Sequence, residues 1–233
     1  MKICDLLERT NPIAVSSTAN DYVDDVLYGD YDQLASSRSL TELLAKINRA
    51  GSQYNIEFTS KTPDPKEFDP NLFSAKMNKM GLVGGAAYKD GRIRIFVNDL
   101  FLMSLKDEEV KDRLFDNIRA VVAHELTHRE QGLRSKQKMF VEPKSYPKAA
   151  GPHAAYLADP QEIMANAQQI ITQLRDQNVN DQTIIQSLKY NDPRLLDRSQ
   201  KLADIVKQFK DSDYYKVLPR VKKTIVQLLS SNK

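Results

Sequence analysis

A single cysteine, Cys4, stands among the 233 residues, so no disulfide can form within the chain. Its stability must come from a packed core, and the chain is long enough to build one. Tryptophan is absent and only 8 residues are glycine. No low-complexity tract and no internal repeat is present. No apolar run approaches the length of a membrane span. Residues 1–10 hold Asp5, Glu8 and Arg9 where a secretory signal would carry an apolar stretch. These absences lead us to expect a soluble, cytoplasmic protein. An excess of one charge is also lacking. The formal net charge of +3 is too small to imply nucleic-acid binding on its own.

What is present is ordinary globular material, with 41% hydrophobic and 28% charged residues. The charge is unevenly spread. Residues 1–50 carry 5 basic and 8 acidic side chains, whereas residues 194–233 carry 10 basic and 4 acidic. In that last stretch Lys alternates with Asp at helical spacing. Solvated helix faces are therefore expected there, ahead of a phosphate-binding or lipid-binding surface.

Residues 10–38 are rich in Ser, Asp, Asn and Tyr with weak periodicity and read as a partly irregular N-terminal arm. Leu40, Leu43, Leu44 and Ile47 mark an amphipathic helix, with Ser39 as N-cap and Gly51 as its stop. Residues 54–60 alternate like a strand, and Pro63, Pro65 and Pro70 then punctuate a loop. Residues 82–88 and 92–98 flank Lys89-Asp90-Gly91, a hairpin signal. A long helix is expected from Ser104, with Val110, Leu114, Ile118, Val121, Val122 and Leu126 on one stripe and Gly132 as its C-terminal stop. After an irregular stretch over 134–158, helices are expected from Asp159-Pro160 to about 176, and over 181–190, 193–210 and 213–230.

The run Val121-Val122-Ala123-His124-Glu125-Leu126-Thr127-His128 carries the chemistry. It places His-Glu-x-x-His inside a helix identified independently by its apolar stripe. The i, i+4 spacing sets both imidazoles on one face, one turn apart, where two ring nitrogens can converge on one ion. Glu125 lies about 100° round the helix from His124. It can reach a water at the metal without binding the metal itself. The chain has only 3 His, so this pairing is improbable as a chance arrangement. Its bland alternative is an exposed helix face that happens to carry two histidines.

A zinc hydrolase needs a third protein ligand and an open fourth position. A His six residues beyond His128 would continue the metzincin pattern, but Arg134 stands there and Gln131 replaces the expected Gly. Two candidates remain. Glu162 follows Asp159 and Pro160 at the start of a helix, where it also fits the third position of a capping box. His153 lies in a Pro/Gly-rich loop and can serve as ligand, substrate contact or oxyanion donor. Tyr156 and Tyr146 are further oxyanion donors.

Together, His124-Glu125-x-x-His128 and the downstream Glu162, with Ala165 three and Asn166 four residues on, resemble the gluzincin branch of the zincin metallopeptidases. The resemblance covers about residues 40–178. It implies that Glu162 is the third ligand, that Ala165 lets two helices approach, and that Asn166 orients a histidine ligand. The family's usual Asp at that last place is absent, and no His follows Glu162.

The implied fold is α+β and zincin-like: a small antiparallel or mixed sheet packed on a long active-site helix, followed by a helical C-terminal part. The expected divisions are 1–38 as the arm, 39–178 as the metallopeptidase domain and 179–233 as a C-terminal helical subdomain. The implied function is zinc-dependent hydrolysis of a peptide or protein substrate, with His124, His128 and Glu162 holding Zn2+. Glu125 would be the general base, with His153 and Tyr156 as further catalytic residues. Residues 156–166 also resemble segments of phage-encoded zincin-like proteins, which implies a virion or host-cytoplasm setting. The competing expectation is a zincin-fold structural or assembly protein with a metal site and no peptidase activity. Its C-terminal helices, through Leu202, Ile205, Val206, Phe209, Val221, Ile225, Leu228 and Leu229, would meet a protein partner; the same residues are expected first as this chain's own core.

Overall fold

The computed structural model describes residues 12–61, 79–88, 90–135, 157–209 and 216–230. It is a mixed α+β protein, mostly helical, with one three-stranded sheet. The chain divides into two compact units, one of residues 14–129 and one built on residues from 130 onward.

The first unit takes in α1 (Pro12–Tyr22) from Ala14 onward, which runs into a π-helical turn over Val23–Tyr28, and then α2 (Tyr31–Ala35). The described part of the expected irregular arm is thus helical. Its inward stripe is Val15, Ala19, Tyr22, Val23, Val26 and Leu27, all buried. Ala and Tyr supply part of this stripe, and their middling hydropathy hides the period among the surrounding Ser, Asp and Asn.

Helix α3 (Leu40–Ala50) begins as its sequence dictates: the Ser39 hydroxyl accepts from the Glu42 N–H at 3.2 Å. The Glu42 carboxylate accepts in turn from the Arg38 N–H at 2.9 Å. A 3-10 turn over Gly51–Tyr54 leads into β1 (Ile56–Thr59). Tyr22 lies on this turn, and a methyl group on Gly51 would come within 2.8 Å of the Tyr22 ring. The ring also stacks on Phe58 at 6.3 Å and meets Tyr54 edge-on at 5.4 Å.

β2 (Leu82–Ala87) and β3 (Ile93–Val97) form the expected antiparallel hairpin. Tyr88 N–H donates to the Arg92 carbonyl at 2.8 Å, and Gly91 supplies the positive φ of 84° that closes the reversal. The strand order is β1-β3-β2, with β1 parallel to β3. β3 is therefore the central strand. Edge β1 is closed by Asn48, whose side chain donates to the Phe58 carbonyl at 2.9 Å and accepts from the Phe58 N–H at 2.7 Å. Among the described residues, β2 carries the sheet's other edge.

A one-residue bulge falls between Leu82 and Gly84. Beyond it Gly85 pairs with Ile95 and Ala87 with Ile93. Gly85 thereby joins the face of the sheet that carries Ile93, Ile95 and Val97.

The single long helix expected from Ser104 is two helices, α4 (Leu100–Lys106) and α5 (Glu108–Ser135). Asp107 separates them with extended backbone, and its side chain caps α5 by accepting from the Glu109 N–H at 3.0 Å. Helix α5 continues through Gly132, where a stop was expected. Glycine costs a helix only about 1 kcal/mol relative to alanine, and no proline follows closely to end it.

In the second unit, α6 (Pro160–Asp176) starts at Asp159, whose carboxylate accepts from the Gln161 N–H at 2.7 Å, with Pro160 in the first turn. Every residue from Glu162 to Thr172 is buried. Around it lie α7 (Asp181–Tyr190), α8 (Arg194–Arg198), α9 (Gln200–Phe209) and α10 (Val217–Ser230). The helix expected over 193–210 breaks at Ser199. The Ser199 hydroxyl donates to Gln173 at 2.8 Å and accepts from the Leu202 N–H at 3.2 Å, so it caps α9. Leu202, Ile205, Phe209, Val221, Ile225, Leu228 and Leu229 share one core with Ile163, Ile170 and Leu174 of α6. No helix among the described residues is long and apolar enough to cross a membrane.

Candidate metal centre

Helix α5 is amphipathic at its start and enclosed later: residues 120–127 are all buried. That enclosure reflects their composition, with Val121, Val122, Ala123 and Leu126 presenting apolar surface in several directions. The Thr127 hydroxyl, fully buried, donates back to the Ala123 carbonyl at 2.8 Å and so takes no part in ligation. Arg129 donates to the Tyr54 carbonyl at 3.2 Å and ties the helix to the turn before β1.

Within this setting His124 and His128 bring their Nε2 atoms to 3.1 Å. The rings stand 4.8 Å apart at an interplanar angle of 72°. A carboxylate oxygen of Glu162 joins them: one ligand atom from each of the three residues lies within 4.8 Å of the others. This buried His-His-Glu group can hold a metal ion.

Two arguments support the fit. The first is distance. Two nitrogens bound at about 2.0–2.1 Å to one tetrahedral ion stand about 3.3 Å apart, close to the observed separation. A hydrogen bond between the two rings would give a similar distance, so the histidine pair alone does not decide. The nearby carboxylate completes a donor set typical of divalent ions. The second argument is charge. His124, Glu125 and Glu162 are only 8%, 5% and 8% exposed. A divalent cation held there would place positive charge beside these buried carboxylates. The donor set suits zinc and other divalent first-row ions alike.

No protein-family model, no curated protein and no solved structure matches this chain. The site is therefore interpreted from its own geometry.

Of the residues singled out in the sequence, His124, His128 and Glu162 come together. Glu125 lies on the same helix outside that trio, its side chain against the sheet. A methyl group on Gly85 of β2 would come within 2.7 Å of Glu125 Cγ and 3.0 Å of its Oε1. His153, Tyr156 and Tyr146 lie outside the described residues. Asn166, expected to orient a histidine, is fully buried with neither amide atom hydrogen-bonded. Gln131, one turn beyond His128, is buried in the same condition.

Gly85 is the site neighbour that sequence reasoning missed. A pair of adjacent glycines inside a strand, Gly84-Gly85, is the signal that would have found it, because strand glycines mark a close approach of another group.

Proposed function

We propose that this protein is a metal-dependent hydrolase of the gluzincin type, most specifically a zinc peptidase. The observation that carries the reading is the His124–His128–Glu162 donor group with Glu125 adjacent to it in sequence but outside it. A site that only held the fold together would have no need of a buried carboxylate beside its ligands.

In this reading His124, His128 and Glu162 would hold Zn2+, and the fourth position would stay open. When bound, the ion supplies Lewis acidity toward a carbonyl and a water of lowered pKa. Glu125 takes the proton from the attacking water and returns it to the departing nitrogen. The buried surroundings of Glu125 exclude bulk solvent and strengthen its interaction with the reacting groups. The edge of β2 runs beside Glu125, and the main chain of an extended peptide can add to it.

The test compares zinc content and cleavage of a mixed peptide library by wild type and Glu125→Gln. The reading expects stoichiometric zinc in both, and cleavage by wild type that falls at least about 100-fold in the variant. Stoichiometric zinc without cleavage dependent on Glu125 would instead favour a structural or assembly protein that retains a metal site.

A further inference from the structure

The contact between Gly85 and Glu125 has two separable origins. Glycine is needed either for its backbone freedom or for the space its missing side chain leaves. The backbone of Gly85 is not in the left-handed region, unlike that of Gly81 or Gly91. Any residue could adopt its conformation. Space is what excludes a side chain: a methyl group there would lie 2.7 Å from Glu125 Cγ, 2.9 Å from Val121 Cγ1 and 3.0 Å from Glu125 Oε1.

Of these neighbours, Glu125 would yield first. The Gly85 backbone is held in register opposite Ile95 by the ladder to β3. Val121 is β-branched on a helix and has one strongly preferred rotamer. Glu125 has three rotatable bonds. The bulge between Leu82 and Gly84 is what turns Gly85 toward α5, so strand irregularity and glycine act together.

We propose that Gly85 is a positioning residue for Glu125: its bare Cα creates the slot in which the Glu125 carboxylate rests. The proposal builds on the reading of Glu125 as general base and adds the part of the sheet that fixes where this base stands. A misplaced base loses its proton-transfer geometry even though the metal ligands are untouched.

Gly85→Ala, Glu125→Gln and the double variant test it. The expected results for Gly85→Ala are stoichiometric zinc, peptide KM within about 3-fold of wild type, and a kcat lowered about 100-fold or more. The double variant should be no slower than Glu125→Gln alone, because the lost methyl-free slot then has no base to serve. Independent, multiplying losses would overturn the proposal and leave Gly85 a packing residue only. Crystal structures of zinc-loaded wild type and Gly85→Ala give a second readout. They should show Glu125 Cγ displaced by about 1 Å, the shift that restores an ordinary carbon–carbon contact. An unmoved Glu125 overturns the proposal whatever the activity. A wild type that cleaves no peptide sinks the hydrolase reading instead, and the crystallographic comparison still decides on Gly85. If Gly85→Ala does not fold, Gly85→Ala/Val121→Ala removes the Val121 clash, keeps the one with Glu125 and is measured in the same way.

Discussion

The Nε2 atoms of His124 and His128 face each other at 3.1 Å across one turn of α5. Both nitrogens can be lone-pair donors to a shared ion only while both rings are neutral at Nε2. Any metal held by this group would favour the folded state, since an unfolded chain does not hold two histidines and Glu162 within 4.8 Å.

Metal should therefore stabilise the fold. At a free zinc concentration about 100 times the dissociation constant, linkage adds about 2.7 kcal/mol. For a chain of this size that raises Tm by roughly 5–10 °C. Calorimetry of chelator-treated and zinc-reconstituted protein measures the shift. His124→Ala and His128→Ala should each abolish it, and an unchanged Tm on reconstitution of wild type would contradict the metal centre.

The identity of the third ligand is tested separately. Glu162 contributes a ligand atom to the group, so Glu162→Ala should weaken zinc binding. An expected loss of about 100-fold or more separates it from a mere neighbour, because removing a partner outside the ligand set costs about 10- to 100-fold. His153→Ala should retain stoichiometric zinc at wild-type affinity. Competition with a chromophoric chelator reads both variants, and zinc lost only in His153→Ala would reverse the assignment.

Tyr22 supplies a prediction about stability alone. Its ring is fully buried between Phe58, Tyr54 and the Gly51 turn, and its hydroxyl makes no hydrogen bond. Burial pushes this phenol far above the ordinary tyrosine range. A buried hydroxyl without a partner carries its desolvation cost uncompensated. Tyr22→Phe keeps the ring contacts and removes that cost, so it should stabilise the protein by about 1 kcal/mol. Urea unfolding with an unchanged slope and a higher midpoint would show it. A lower midpoint would mean that the hydroxyl has a partner after all.

The features legible in the sequence are those set by residues close together in the chain. The spacing of His124 and His128, the Gly91 reversal, the Ser39 cap and the Asp159-Pro160 start each depend on neighbours within a turn or two. Glu162 is legible only through the need of two paired histidines for a third ligand and through a motif resemblance, since local rules allow it to be a capping residue as well. What escaped was set by partners distant in sequence. The parallel pairing of Ile56 with Ile93 makes β3 central, and nothing local to either strand announces it. The Gly85–Glu125 contact needs a bulge, a strand and a helix to be placed together. The breaks at Asp107 and Ser199 failed for another reason: a capping side chain inside a continuous apolar stripe ends one helix and starts the next without disturbing the period.

Glu42 makes the start of α3 sensitive to acid. Its carboxylate accepts from the Arg38 N–H at 2.9 Å and pairs with Lys46 at 3.0 Å. The Arg38 hydrogen bond first, then Lys46, hold its pKa below the ordinary glutamate value. A carboxyl whose folded-state pKa is depressed adds stability above its unfolded value, about 4.3 for Glu. That contribution fades as pH falls through the lower folded value. Wild type should thus be more stable than Glu42→Gln at pH 7, and the difference should shrink as pH falls below the ordinary glutamate range. Ser39→Ala removes the other half of the cap, costing about 1 kcal/mol, and should lower stability by the same amount across that pH range because a hydroxyl does not titrate. Denaturant unfolding of metal-free protein measures all three, so that release of zinc in acid does not enter the comparison. A Glu42→Gln difference that does not diminish with falling pH would show that the carboxylate's charge is not what holds the turn.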